Sequence, residues 1–172
     1  MTPNAFGARN HVPAIHLIAA FVIASAVVAF SQPPTVRIAA SRSLTLSVAD
    51  LAAMPRTKVA VTAHDQEAIY EGVSVRELLT RVGVPSGEAL RGRDLAQAVL
   101  VTGADGYQAV FGVAEFDPAF TDRIAVLADR KNGNLLAGNE APFQLVLTSE
   151  KRPARWVRQV VSIEVRSLAF PK

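Results

Sequence analysis

The sequence predicts an α+β fold for a single domain, built from mixed β-sheets and short helices. The chain has 172 residues, of which 50% are hydrophobic and 19% are charged, a composition typical of one folded domain. Short β-rich runs are interspersed with short helical segments, without the regular strand–helix–strand alternation of a parallel sheet. This irregular order favours the α+β class.

The N-terminal segment has the three parts of a secretory signal. Arg9 and the chain amine supply positive charge before residues 14–30, an apolar stretch without Asp, Glu, Lys or Arg. Ala29 and Ser31 are small residues at the spacing of a cleavage site. We therefore predict a signal peptide over residues 1–31, with a retained membrane anchor as the alternative. No Arg-Arg pair is present, so export in the unfolded state is expected.

Residues 32–43 begin with Gln-Pro-Pro and are predicted to be a linker that leads into the folded domain, residues 44–172. Apolar and β-branched runs predict strands at residues 44–47, 58–62, 98–102, 107–111, 124–128, 143–147 and 160–165. Asp-Gly at 105–106 predicts a tight hairpin, and Asn-Gly at 132–133 predicts another turn. The domain is therefore expected to be mainly β-structure.

Two capping boxes predict where helices begin. Ser47 and Asp50, in SVAD, open a short first helix, and Ser74 and Glu77, in SVRE, open a second. The apolar positions of the second helix lie on one face, at Val75, Leu78, Leu79 and Val82. A third short helix is expected over residues 115–120, where a proline interrupts it.

Several chemistries are disfavoured by residues that the sequence lacks. Cysteine is absent, which excludes disulfides, thiolate metal ligands and thiol nucleophiles. His11 and His16 lie in the predicted signal peptide, so only His64 remains for the domain, and a zinc site of the usual type lacks ligands. Hydrolysis through a G-x-S-x-G serine is disfavoured because that motif is missing. The mild formal net charge of +3 argues against nucleic acid as a partner.

The densest polar cluster, residues 149–158, surrounds Trp156, the only tryptophan. Its cations are Lys151, Arg152, Arg155 and Arg158. Such a cluster can hold an anionic or planar heterocyclic ligand by charge-assisted hydrogen bonds and stacking. The alternative is a solvated loop whose tryptophan packs on the core.

Four short motifs follow one another along the predicted domain. They are YEGVSVRELL at residues 70–79, DGY at 105–107, NG at 132–133 with APFQLV at 141–146, and RWV at 155–157 with IEV at 163–165. In this order they resemble motifs of the sulfite-oxidase-type molybdopterin-binding domain. The resemblance extends over residues 44–165 and implies the sulfite-oxidase-like molybdopterin-binding fold, which is oxidoreductase-like.

The resemblance also implies a function, which the missing cysteine modifies. Catalytic members of the family bind molybdenum through a cysteine thiolate, and the nearest match here is residues 62–65, TAHD. The chain is therefore similar to a small, exported, cysteine-free branch. The implied function is a periplasmic pterin-binding protein, without catalytic residues or molybdenum, whose pterin is molybdopterin-like or simpler. The implied partner is the periplasmic domain of a membrane sensor, such as a diguanylate cyclase, phosphodiesterase or histidine kinase.

Two other functions stay open at this point. One is a molybdopterin-dependent oxidoreductase that holds its cofactor by other residues. The other is a ligand-free interaction module whose basic cluster is a docking surface.

Under the resemblance, Arg155 and Trp156 become the leading candidates for pterin contacts, because a fork-shaped donor beside an indole ring suits a flat heterocycle. Further candidates are Lys151, Tyr107, His64 and Arg130. For Tyr107, packing in the core is the alternative. No residue is predicted to bind a metal.

Overall fold

The computed structural model describes residues 33–63 and 66–168. The predicted signal peptide and the candidate contact His64 lie outside these ranges. Within them, no helix is both long and apolar enough to cross a membrane. Strands predominate and the helices are short, so the α+β prediction is confirmed.

Ten strands and two α-helices are found in the described part of the chain. The strands are β1 (Thr35–Ala39), β2 (Ser43–Ser47), β3 (Thr57–Ala63), β4 (Gln66–Ser74), β5 (Gln97–Gly103), β6 (Gln108–Gly112), β7 (Ala125–Lys131), β8 (Asn134–Leu135), β9 (Gln144–Leu147) and β10 (Val160–Ser167). The α-helices are α1 (Val48–Ala52) and α2 (Val75–Arg81). Short 3-10 helices lie at Gly87–Ala89, Gly92–Ala96, Val113–Phe116, Gly138–Glu140 and Pro153–Arg155.

These strands form two five-stranded sheets. The first has the order β2-β1-β10-β5-β6, in which β1 and β10 run parallel and the other neighbours run antiparallel. The second has the order β3-β4-β7-β8, with β9 paired on β7, and all its neighbours run antiparallel. The chain passes from the second sheet to the first between β9 and β10. The basic cluster predicted to bind a ligand lies in this connection.

One hydrophobic core joins the sheets. In β1, Val36 and Ile38 are fully buried while the alternating Thr35 and Arg37 are exposed, as expected for a strand with one face on the core. The strands β7 and β9 are buried along most or all of their length. Side chains of these two strands therefore lie in the interior, where a polar group needs a partner.

The two helix starts differ from each other. At α1 the predicted capping box is confirmed, since Ser47 accepts the Asp50 N–H and the Asp50 carboxylate accepts the Ser47 N–H. At α2 the capping box is wrong, because the Ser74 side chain makes no capping hydrogen bond. The Glu77 carboxylate pairs instead with Arg81, 2.7 Å away and one turn along. The apolar face is confirmed: Val75, Leu78, Leu79 and Val82 are fully buried.

The predicted linker is corrected by the structure. Residues 32–43 contain β1, which pairs with β2 on one side and with β10 on the other. The prolines at 33 and 34 precede the strand. Apolar and polar residues then alternate in TVRIA, which places two apolar side chains in the core. The described fold accordingly has its first strand at Thr35.

Two further elements differ from the prediction. The strand β4 was not predicted, and it lies between β3 and β7 in the second sheet. The expected helix over residues 115–120 is a 3-10 turn that ends at Phe116. Asp117 follows it, is buried, and accepts hydrogen bonds from the Gly87 and Ala119 N–H groups, so the chain turns there. The strands predicted from residue 44 onward are all present, and their ends differ from the prediction by at most three residues.

Both predicted turns are confirmed. Gly106 has φ +83° between β5 and β6, and the Asp105 carboxylate accepts the Tyr107 N–H at 2.9 Å. Asn132 and Gly133 have φ values of 51° and 82° between β7 and β8, the left-handed pair of a tight hairpin. The first turn matters for function because it brings Tyr107 beside the β9–β10 connection.

Candidate functional site

A cleft of about 670 Å³ opens beside the β9–β10 connection. Its lining residues are Asp105, Tyr107, Lys151, Arg152, Pro153, Ala154, Trp156 and Arg158. The volume falls in the range of roughly 300–1,000 Å³ that small-molecule sites occupy. The predicted basic cluster is thus a wall of a ligand-sized cleft.

The cleft is held in shape by contacts between its two walls. The Tyr107 hydroxyl donates a hydrogen bond to the Ala154 carbonyl at 2.6 Å, which links the β5–β6 hairpin to the β9–β10 connection. The backbone of the connection is also tied to β9, where the Leu145 N–H donates to the Val157 carbonyl at 2.9 Å. Tyr107 is half exposed, so it does not pack in the core. Its ring stays available at the cleft.

Three cations of the cleft carry unbalanced charge. Lys151, Arg152 and Arg158 are exposed, and none forms an ion pair or hydrogen bond with another described residue. Most other arginines of the described chain pair with a carboxylate, as Arg56, Arg76 and Arg123 do. The cleft therefore presents positive charge that is free to meet an anionic or electron-rich ligand.

A smaller recess of about 180 Å³ adjoins the cleft. It is lined by Val61, Gln66, Glu67, Ala68, Tyr70, Lys131, Asn132, Glu140, Gln144, Pro153, Trp156 and Arg158. Pro153, Trp156 and Arg158 line both spaces. These three residues thus form the boundary between the basic cleft and a recess that opens on the second sheet.

Trp156 is the buried side chain of this boundary. It is 7% exposed, and its ring meets the Tyr70 ring edge-on, with centroids 5.9 Å apart and planes at 76°. This edge-to-face contact fixes the indole against β4. The prediction that Trp156 lies at a ligand-sized site fits this placement, and so does the alternative that it packs on the core.

Two buried polar atoms of the recess residues have no hydrogen-bond partner in the described structure: Gln144 Oε1 and Trp156 Nε1. Gln144 is 2% exposed and begins the otherwise apolar strand β9. Leaving a buried donor or acceptor unpaired costs about 1–3 kcal/mol for each group. Orphaned buried groups are rare in native proteins, so these two atoms distinguish the recess within the described core.

The charges at the recess are already paired with each other. The Lys131 ammonium bonds both Glu140 carboxylate oxygens, at 3.0 and 3.3 Å, and lies 5.2 Å from the centroid of the Tyr70 ring. The Tyr70 side chain raises the pKa of Lys131, and the Glu140 carboxylate adds to this, against the opposing effect of burial. Lys131 therefore stays protonated, and the pair contributes little net charge to the recess.

Arg155 lies outside both spaces, although the sequence made it a leading candidate. Its guanidinium bonds the Glu150 carboxylate at 2.8 Å and the Glu115 carboxylate at 3.3 Å, and it stacks 4.7 Å from the centroid of the Phe111 ring. These contacts fasten the 3-10 turn Pro153–Arg155, which precedes Trp156, to β6 and to the 3-10 turn Val113–Phe116 that follows β6. The arginines of the basic cluster that line the cleft are instead Arg152 and Arg158.

The remaining residues that were predicted to contact a ligand also divide into those that line the cleft and those that do not. Lys151 and Tyr107 line the cleft with Trp156, so three of the predicted contacts come together. Arg130 does not line either space, and its guanidinium donates to the Gly133 carbonyl at 3.1 Å. His64 lies outside the described residues, next to β3 in sequence.

Sequence reasoning missed the polar residues of the recess. Lys131, Glu140 and Gln144 come from separate segments and share no local spacing. Of these residues, Gln144 alone could have been noticed in the sequence, because it is a polar residue in an apolar strand. The structure buries this strand completely. Tyr70 was part of a motif, but nothing in its spacing indicated the contact with Trp156.

A second charged cluster lies away from the cleft and has a structural role. The Arg56 guanidinium bonds the Asp129 carboxylate, which is 1% exposed, and the Glu71 carboxylate at 3.2 Å. Burial lowers the pKa of Arg56, but Asp129 and Glu71 outweigh it and raise the pKa. The hydrogen bond from Arg56 in turn lowers the pKa of Glu71. Each charge has its partner, so the cluster needs no ligand.

Among residues 33–63 and 66–168, no three His, Asp or Glu side chains are placed to share a metal ion. The sequence has no cysteine that could add a thiolate.

Comparison with known proteins shows similarity to a solved structure. No family model matches the chain. No curated protein matches it either. Among solved structures, the sulfane dehydrogenase SoxCD from Paracoccus pantotrophus is similar, with a TM-score of 0.60 and 18% sequence identity.

The match with sulfane dehydrogenase extends over 78% of this chain and 39% of that one. The likeness shows a shared fold. At this identity it shows the α+β architecture alone, and it leaves activity and ligand to be argued from the site.

Proposed function

We propose that this protein binds a pterin at the cleft and recess that meet at Trp156, and that it does so without molybdenum chemistry. The observation that carries the proposal is the pair of unpartnered buried atoms, Gln144 Oε1 and Trp156 Nε1, beside a cleft with unpaired cations. A pterin has a flat aromatic face and ring edges with hydrogen-bond donors and acceptors. It therefore offers both kinds of interaction that the site lacks.

The two spaces would take different parts of such a ligand. The recess residues Gln144 and Trp156 would satisfy the ring edge, while Lys151, Arg152 and Arg158 would contact polar or anionic substituents in the cleft. The same residues would hold a molybdopterin-like pterin. Nothing in the described lining requires a metal for either set of contacts.

The side chains that this sequence offers as metal ligands disfavour molybdenum chemistry. Molybdenum in the family that the sequence resembles needs a cysteine thiolate, and this chain has none. The shared fold with a dehydrogenase favours the second candidate, a molybdopterin-dependent oxidoreductase. Metal analysis of protein purified from its native host separates the two: stoichiometric molybdenum supports the oxidoreductase, and pterin without molybdenum supports the binding protein.

The proposal extends to location and partner. The predicted signal peptide and the family resemblance support a periplasmic protein whose pterin-loaded form engages the periplasmic domain of a membrane sensor. Co-purification with a sensor domain encoded nearby tests this, with and without added pterin. Binding that depends on pterin supports the sensory role. Binding that is the same without pterin supports a ligand-free interaction module instead.

Equilibrium dialysis of the full domain against a dihydropterin tests the ligand itself. We expect saturable binding, and we expect Arg158→Ala to weaken it by roughly tenfold because a charge-assisted contact is lost. Arg130→Ala is the matched control, an arginine outside both spaces, and should bind as the wild type does. Wild-type protein that takes up no pterin would refute the proposed function.

A further inference from the structure

The two unpartnered atoms of the recess are of opposite kinds. Gln144 Oε1 is an acceptor, and the indole N–H of Trp156 can only donate. Both side chains are more than nine-tenths buried and line the same recess. A group that satisfies both atoms must therefore donate to Gln144 and accept from Trp156.

We propose that the recess selects heterocycles with a cyclic amide edge, in which a ring N–H lies next to a ring carbonyl. The ring N–H would donate to Gln144 Oε1, and the ring carbonyl would accept from Trp156 Nε1. This inference rests on the proposed function, and it specifies which edge of the pterin the protein recognises.

Three other polar residues of the recess, Lys131, Glu140 and Asn132, already have partners in the protein. Lys131 and Glu140 are bonded to each other. The Asn132 side-chain oxygen accepts the Ile69 N–H at 2.9 Å. Since these groups already have partners, a ligand gains most by pairing the two atoms that have none.

The same geometry rejects an edge of reversed polarity. In a 4-amino analogue the ring nitrogen is an acceptor and the neighbouring substituent is a donor. The Gln144 amide can rotate to exchange its oxygen and nitrogen, but the indole N–H cannot become an acceptor. Trp156 would then face a second donor, and both would stay unpaired. A site built on buried hydrogen bonds discriminates strongly against such an analogue.

The test compares two ligands that differ at one position: 6-hydroxymethylpterin, which has the cyclic amide edge, and 2,4-diamino-6-hydroxymethylpteridine, which has the reversed edge. Calorimetric titration of the wild-type domain at neutral pH should show a preference of about tenfold or more for the pterin. Trp156→Phe keeps an aromatic ring but removes the N–H, and it should bring the preference close to one.

Arg152→Ala is the control for this comparison, since Arg152 lines the cleft and not the recess. It should weaken both ligands in the same proportion and keep the preference, because it leaves the edge-reading atoms unchanged. Equal affinity of the wild type for the two ligands, or a preference that survives in Trp156→Phe, overturns the inference while pterin binding stands. If neither ligand binds, the proposed function fails with it.

Discussion

At the scale of single residues, the arginines of the basic cluster have two different roles. Arg155 forms ion pairs with Glu115 and Glu150 and stacks on the Phe111 ring, whereas Arg158 has no partner in the described structure. In sequence the two are indistinguishable, because both lie beside Trp156 in one basic run. The difference arises from carboxylates that the fold brings to Arg155 from distant positions. Of these two, the unpaired Arg158 is the one that the proposed function uses.

Glu71 allows a prediction about pH at the same scale. Its pKa is lowered from the ordinary 4.5, chiefly by the hydrogen bond from Arg56. A lowered pKa in the folded state stabilises the protein above pH 4.5, and the contribution is lost as the pH falls through the folded-state pKa. We therefore expect Glu71→Gln to reduce the free energy of unfolding near neutral pH by about 1 kcal/mol, and by progressively less below pH 4.5.

Urea denaturation at a series of pH values measures this effect. Glu88→Gln is the control, since Glu88 is exposed and forms no ion pair with a described residue, and it should unfold like the wild type. A Glu71→Gln deficit that is the same at pH 3 and pH 7 would show that the ionised carboxylate is not the source of the stability.

At the scale of elements, local sequence predicted those structures that local forces determine. The Asp-Gly turn, the Asn-Gly turn and the apolar face of α2 were all predicted correctly. Strands β1 and β4 were not predicted. The first half of β4 is polar, and both strands owe their place to partners on each side, β1 to β2 and β10, and β4 to β3 and β7. Pairing between distant segments cannot be read from a window of a few residues.

The two helix starts provide a matched pair of substitutions. Ser47→Ala removes a side-chain cap that is present in the structure and should lower the free energy of unfolding by about 1 kcal/mol. Ser74→Ala removes a hydroxyl that caps nothing and should change it by less than about 0.5 kcal/mol. Equal losses in chemical denaturation would contradict the assigned difference between α1 and α2.

At the scale of the whole molecule, the site lies where the chain passes between its two sheets. Tyr107 comes from the β5–β6 hairpin of the first sheet, and Tyr70, Lys131 and Gln144 come from the second. Trp156 is in the connection between them, which explains why it borders both the cleft and the recess. The basic composition of residues 149–158 indicated the connection as a candidate site. The recess could not be predicted, because it is assembled from four separate segments of the chain.

The proposed function depends on two properties of the whole molecule, its fold and its lack of cysteine. The fold shared with part of a dehydrogenase chain holds a ligand-sized cleft at the sheet junction, and the sequence has no cysteine that could supply a thiolate. The cleft has unpaired cations, and the recess has an unpaired donor and an unpaired acceptor. The proposed function rests on these features.

The fluorescence of Trp156 tests the central claim most directly, because this is the only tryptophan of the chain and it borders both spaces. The domain is titrated anaerobically with a dihydropterin, and free tryptophan serves as the control for light absorbed by the ligand. Pterin binding at the site predicts a saturable change in emission with one ligand for each chain. Emission that only follows the free-tryptophan control, without saturation, would contradict the claim.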